Sequence, residues 1–162
     1  MLPNPVSLVE GGKRGSRYVI FDAPNDLNVN VYGDVLHSKG VVLVIRTCEK
    51  TCSENYGFGI VVKECVYEDG GVPSSEQIKL WLRNVRYVLN NYPGKAIGVH
   101  CMAGLGRAPL LVAIALIEIE DYKYEDAVAL IRKERRYAIN QRQLTFLSGY
   151  SSYSSSGCCS IS

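Results

Sequence analysis

A cysteine and an arginine separated by five residues stand near the middle of the chain, in the run His100-Cys101-Met102-Ala103-Gly104-Leu105-Gly106-Arg107-Ala108-Pro109. This pairing suits chemistry on phosphate esters. A thiolate at Cys101 is a nucleophile at neutral pH. The guanidinium of Arg107 offers a planar fork to two oxygens of one phosphoryl group, which a lysine cannot reproduce. Gly104 and Gly106 allow the backbone to curl, so that the N–H groups of Met102, Ala103, Gly104, Leu105, Gly106 and Arg107 turn toward a single anion. A helix beginning near Arg107 adds partial positive charge at the same point and favours the thiolate.

Cleaving a phosphate ester also needs an acid for the leaving oxygen and a base for the water that follows, and one carboxyl group serves both steps. Tyr67-Glu68-Asp69-Gly70-Gly71-Val72-Pro73 supplies two carboxylates in a glycine-rich loop, with Asp69, 32 residues before Cys101, the stronger candidate and Glu68 the weaker. The same loop also reads as a solvated surface segment. His100 is placed either to orient the loop and support the thiolate through a ring hydrogen bond, or simply to pack at a strand end.

These residues need a rigid frame. Residues 18–21 read as a short strand, and residues 24–40 as a weakly amphipathic helix carrying Leu27, Val31 and Val35. The apolar runs 41–45, 59–62 and 96–99 have the β-branched composition of strands buried on both faces. Ser74 and Gln77 form a capping box ahead of Ile78, Leu82, Val85 and Leu89 at helical spacing; Trp81 and Val88 widen that stripe, which makes Trp81 a core anchor. Residues 107–119 are apolar on nearly every side, the pattern of a helix buried within a domain. Helices over 124–136 and 141–150 complete an α/β domain with a mostly parallel central sheet flanked by helices.

The 162 residues, 47% hydrophobic, suffice for one core over 1–150. From Gln143 to Ser162 there is no Lys, Arg, Asp or Glu, and 151–162 reads as a flexible tail. A net charge of +2, from 18 basic and 16 acidic residues, excludes a surface built to wrap nucleic acid. No leader pattern opens the chain, and the longest apolar run, 110–117, is too short for a membrane span, so a soluble intracellular body is expected. Six cysteines and two histidines, His37 and His100, follow no metal-ligand spacing, and no metal or cofactor is expected.

The loop HCMAGLGRAP, the strand end VIRTCEK, the acid loop EDGGVP, the helix LIEIEDYKYEDAVALIRKERRYAIN and the Cys-Cys tail together resemble the phosphatase of regenerating liver family, which are prenylated type IVA tyrosine phosphatases of the dual-specificity-like group. The resemblance covers nearly the whole chain. It implies the cysteine-based protein tyrosine phosphatase fold, with Cys101 as nucleophile, Arg107 as phosphate clamp and Asp69 as general acid and base. It implies further that Cys48 forms a reversible disulfide with Cys101. Ala108 stands where relatives outside this family carry Ser or Thr, which implies slow turnover through a long-lived cysteinyl-phosphate. Substrates implied are phosphoproteins or phosphoinositides. Binding to the CBS-pair domains of magnesium transport mediators is the alternative role, and homotrimers form among relatives. One departure lies in the acid loop, where Cys65-Val66-Tyr67 replaces the family's Trp-Pro-Phe.

The other departure is in the tail. Cys159-Ser160-Ile161-Ser162 resembles a prenylation signal at Cys159, with Ser160 in place of an aliphatic residue and an uncharged segment where relatives are polybasic. A cytoplasmic protein held peripherally on plasma or endosomal membrane is the expectation. One prenyl chain anchors weakly, so a second signal is needed: acylation of Cys158, or the basic run Arg132, Lys133, Arg135 and Arg136. That run reads equally as a solvated helix face.

Overall fold

In the computed structural model, which describes residue 2 and residues 4–160 with side chains as far as Tyr150, the chain runs β1 (Ser7–Glu10), β2 (Arg17–Asp22), α1 (Val29–Ser38), β3 (Val41–Arg46), β4 (Val61–Glu64), α2 (Ser75–Asn91), β5 (Ala96–Cys101), α3 (Arg107–Glu120), α4 (Tyr124–Glu134) and α5 (Gln141–Ser160). The five strands form one sheet in the order β1-β2-β5-β3-β4. Only β1 pairs antiparallel, with β2; the other neighbours are parallel.

Strand alternation divides the core into two layers. Tyr18, Ile20, Ile45, Ile97, Val99 and Cys101 face a large cluster with α2, α3, α4 and the start of α5. Val19, Phe21, Val44 and Ala96 face a smaller one under α1. At the end of β5 the alternation puts Cys101 on the α3 side and His100 on the other, where its ring lies 5.0 Å from Phe21. Helix α3 is buried on nearly every side; Leu110, Leu111, Ile114 and Leu116 are fully enclosed, each contributing about 1.5–3 kcal/mol of burial. Helix α2 carries the capping box expected from Ser74 and Gln77. Its Trp81 is buried and donates from Nε1 to the Leu111 carbonyl at 2.7 Å, pinning α2 to α3.

Two expectations fail for physical reasons. Helix α1 starts at Val29, because Asn25 Oδ1 accepts from the N–H groups of Leu27 and Asn28 and fixes a turn there. Its buried face is therefore Val29, Tyr32, Gly33 and Leu36, and Leu27 is 95% exposed. Gly33 is required on that face, since a Cβ would overlap the Tyr56 carbonyl oxygen. The apolar run 59–62 becomes β4, shifted to Val61–Glu64 at the sheet edge, and it is largely exposed because it pairs only with β3. Helix α5 runs on to Ser160, ten residues past Tyr150. The side chain of Cys159 and the terminal residues 161 and 162 lie outside the described residues, and with them the prenylation signal.

Candidate active site

The loop between β5 and α3 is short, and its carbonyls are met from outside it. Met102 O accepts from Ala23 N at 3.0 Å, Gly104 O from Arg135 Nε at 2.8 Å, Ala103 O from Arg135 Nη2 at 3.3 Å, and Leu105 O from Ile139 N at 2.7 Å. Four consecutive carbonyls tied outward leave the intervening N–H groups to face the concave side, since each trans peptide points its C=O and N–H in opposite directions. Gly104 takes φ +68°, which an L side chain rarely adopts. The cradle the glycines suggest is thus built, with Cys101 at its start, 3% exposed.

Arg107 closes the loop at the first turn of α3. Its side chain is buried, Nη1 donates to the Tyr67 carbonyl at 3.2 Å, and Nε is buried with no partner in the protein. Nη2 lies 3.8 Å from Asp69 Oδ1. The acid loop therefore sits directly over the phosphate cradle, and Asp69, 88% exposed at its side chain, projects toward open solvent and the guanidinium together. Glu68 points away, to an exposed ion pair with Arg142 at 3.1 Å. The loop is braced from below: Asn140 Nδ2 donates to Gly70 O at 3.2 Å, and the buried Gln143 donates from Nε2 to Gly71 O at 3.0 Å.

His100 is buried, with Nδ1 3.4 Å from the Cys101 carbonyl and 4.0 Å from Cys48 Sγ. Burial lowers its pKa to about 4, so the ring is neutral at physiological pH. Its own carbonyl accepts from the Thr47 N–H at 2.9 Å and the Thr47 hydroxyl at 2.8 Å, which locks the β3 end beside the nucleophile loop. Cys48 is 1% exposed; burial chiefly raises its thiol, and Arg107 partly offsets this. Both cysteines are free thiols. The Cys48 loop is set by Arg46, which bonds the Cys48 carbonyl at 2.7 Å and pairs with Glu54 and Glu64. Ala108 is fully buried behind Arg107.

The basic run at the end of α4 and just past it divides. Arg135 is neither membrane-facing nor solvated: it turns inward, and its guanidinium bonds the carbonyls of Ala103, Gly104, Pro5 and Ile20, the Ser7 hydroxyl and, in a short ion pair, Asp22. Arg132 is spent on the Ala138 and Ile139 carbonyls, both at 2.9 Å. Only Lys133 and Arg136 remain at the surface without such anchors, Arg136 lying over the Tyr137 ring. Sequence reasoning missed Arg135, Asn140 and Gln143 as site residues. Their one common signal is position, in the turn after α4 or the first turn of α5, on either side of Tyr137 and Ile139, which take positive φ without a glycine to mark it. Among the described residues no group of three His, Cys, Asp or Glu side chains gathers to hold a metal, and no helix is long and apolar enough to cross a membrane.

A thiol at the mouth of an N–H cradle, a buried arginine fork and a carboxylate hung above both define the class of cysteine-dependent phosphatases. The sequence matches the family described as "Polymorphic toxin system, DSP-PTPase phosphatase" over residues 29–121. It is 41% identical over 159 residues to "Probable protein tyrosine phosphatase type IVA A" of Dictyostelium discoideum, covering 97% of this chain and 94% of that one. To human "Protein tyrosine phosphatase type IVA 3" it is 40% identical over 144 residues, covering 88% and 83%. Among solved structures, a putative protein tyrosine phosphatase from Leishmania major superposes with a TM-score of 0.79 at 33% identity, over 90% of this chain and 98% of that one. The chain belongs to the protein tyrosine phosphatase type IVA family, and with it to the enzymes that hydrolyse phosphate monoesters through a cysteine.

Proposed function

We propose that Cys101 attacks the phosphorus of a phosphotyrosine-bearing protein and that Asp69 gives its proton to the departing phenolic oxygen, leaving a cysteinyl-phosphate. Asp69, now a carboxylate, takes a proton from water as that water attacks phosphorus; inorganic phosphate leaves and the Cys101 thiolate returns. The observation that carries this reading is Arg107, whose buried Nε has no protein acceptor while Nη2 lies within 3.8 Å of Asp69. A buried guanidinium donor without a partner costs on the order of 1–3 kcal/mol, and an equatorial phosphoryl oxygen removes that cost. A phosphoinositide headgroup presents the same monoester chemistry and is the competing substrate.

Two finer features belong to this reading. Ala108 brings no hydroxyl to the sulfur side of the loop, which supports slow breakdown of the intermediate. Cys48, buried beside Cys101 and held as a thiol, suits the resolving role: a peroxide oxidises Cys101 to its sulfenic acid, and the Cys48 sulfur displaces water to form the disulfide. Membrane association through a lipidated Cys159 stays with the resemblance of the tail.

The test is direct. Wild-type protein mixed with a small aryl phosphate under reductant, then acid-quenched and digested, should carry a phosphoryl group on the Cys101 peptide, and Cys101→Ser should not. Absence of label on the wild type overturns the nucleophile assignment. After brief peroxide treatment, peptide mapping should find Cys48 joined to Cys101; Cys52 in that bridge overturns the switch.

A further inference from the structure

We propose that the Tyr67 hydroxyl is a latch that holds the acid loop closed over the phosphate cradle, making Tyr67 a positioning residue for Asp69. The inference rests on the phosphatase reading above and adds a residue to it. Tyr67 and Arg107 are joined twice: the phenol donates to the Arg107 carbonyl at 2.5 Å, and the Tyr67 carbonyl accepts from Arg107 Nη1 at 3.2 Å. The first bond reaches the backbone of α3, a rigid element; the second depends on the rotamer of a side chain that must also serve substrate. The hydroxyl therefore ties the entry side of the loop to the frame rather than to the substrate-binding fork, as Asn140 and Gln143 tie its far side at Gly70 and Gly71.

The root of the loop gives it a purpose. Cys65-Val66 are small side chains at the point where the chain leaves β4, and a cavity of about 230 Å³ opens there between Cys65, Val66, Gln77, Leu80 and Trp81. Packing alone holds that root thinly, although Gln77 Nε2 ties the Val66 carbonyl at 2.7 Å. Gly70 and Gly71 follow, so the segment between has little intrinsic stiffness. The Asp69 carboxylate is two residues from the phenol and inherits its position from it. Burial raises the phenol well above its ordinary range, so it is a protonated donor at neutral pH.

The test is Tyr67→Phe, which keeps the ring and the carbonyl bond and deletes only the latch. Phenyl phosphate needs an acid for its leaving oxygen, whereas an aryl phosphate with a polyfluorinated phenol departs unaided. kcat/KM, which reports on formation of the cysteinyl-phosphate, should fall about five- to tenfold on phenyl phosphate, the worth of one hydrogen bond. On the fluorinated ester it should fall less than about twofold. In an Asp69→Asn background the Tyr67→Phe effect should vanish. Hydrogen exchange should quicken in residues 66–72 alone. Equal loss on both esters, loss that persists without Asp69, or unchanged exchange in 66–72 overturns the latch. None of these touches the nucleophile assignment, which stands or falls on the Cys101 label.

Discussion

Gly104→Ala tests whether the cradle is held open by Arg135. A Cβ at residue 104 would stand 2.6 Å from Arg135 Nη2, 2.9 Å from Nε and 3.0 Å from Cζ, while the backbone keeps φ +68°. An L residue held in that left-handed region costs about 1–2 kcal/mol. The guanidinium cannot simply swing aside, because the same group bonds Gly104 O, Ala103 O, Pro5 O, Ile20 O and Asp22. Giving up one of those charge-assisted bonds costs about 1.5–3 kcal/mol. The sum is about 3–5 kcal/mol, or a fall in Tm of about 10 °C for a chain of this size. Urea unfolding at neutral pH measures it, with Gly106→Ala as the internal control. At Gly106 φ is −127° and the nearest atom to a Cβ is Gln143 Nε2 at 3.4 Å, so the control should cost about 1 kcal/mol. Vanadate affinity should fall at least tenfold in Gly104→Ala, because carbonyls released from Arg135 turn toward the anion. A Gly104→Ala protein within about 1 kcal/mol of wild type would refute the reasoning.

Trp81→Phe removes the indole bond to Leu111 O and leaves a void between α2 and α3, and urea unfolding should show a loss of about 2–3 kcal/mol. His100 titrates at about 4 in the folded chain against about 6.5 unfolded, so the unfolded state binds the extra proton between those values. Stability is undiminished above pH 6.5 and falls by about 3 kcal/mol as pH drops toward 4; a His100→Asn protein should show a shallower slope over that window. Ala108→Ser should raise steady-state turnover about tenfold and shorten the life of the cysteinyl-phosphate, while the burst rate of its formation, followed by rapid quench, stays unchanged.

The chemistry was legible because it is local. Cys101, Gly104, Gly106 and Arg107 lie within seven consecutive residues, and a buried strand before them and a buried helix after them announce themselves by composition. Asp69 was legible through its glycine-rich loop and its distance to the nucleophile. Helix α2 gave its start away through a side-chain capping box, and Trp81 through its spacing. By contrast, Leu27 and Val35 share the apolarity of Leu36; which of them is buried was decided by an asparagine turn and by a carbonyl crossing at Gly33, neither visible in a hydrophobic pattern. Strand β1 is missed for a similar reason: four residues, one of them Glu, carry too little alternation to stand out.

Arg135 shows where reading by charge fails. Arg132, Lys133, Arg135 and Arg136 are alike on paper, yet Arg132 and Arg135 meet different backbone carbonyls, Arg136 lies over the Tyr137 ring and Lys133 stays at the surface. What selects Arg135 is an obligation of the cradle itself. A loop that aims its N–H groups at a phosphate must turn its carbonyls the other way, toward the end of β2 and the turn after α4. Those carbonyls need donors from elsewhere in the chain, and Ala23, Ile139 and Arg135 supply them. Only a guanidinium satisfies two adjacent loop carbonyls and still reaches strand carbonyls and the Asp22 carboxylate. The same reasoning applies to Tyr67. By type it is an ordinary member of a glycine-rich loop; in the fold, its hydroxyl is the group that reaches the α3 backbone. In both, a side chain long enough to leave its own segment donates to a backbone carbonyl of the site.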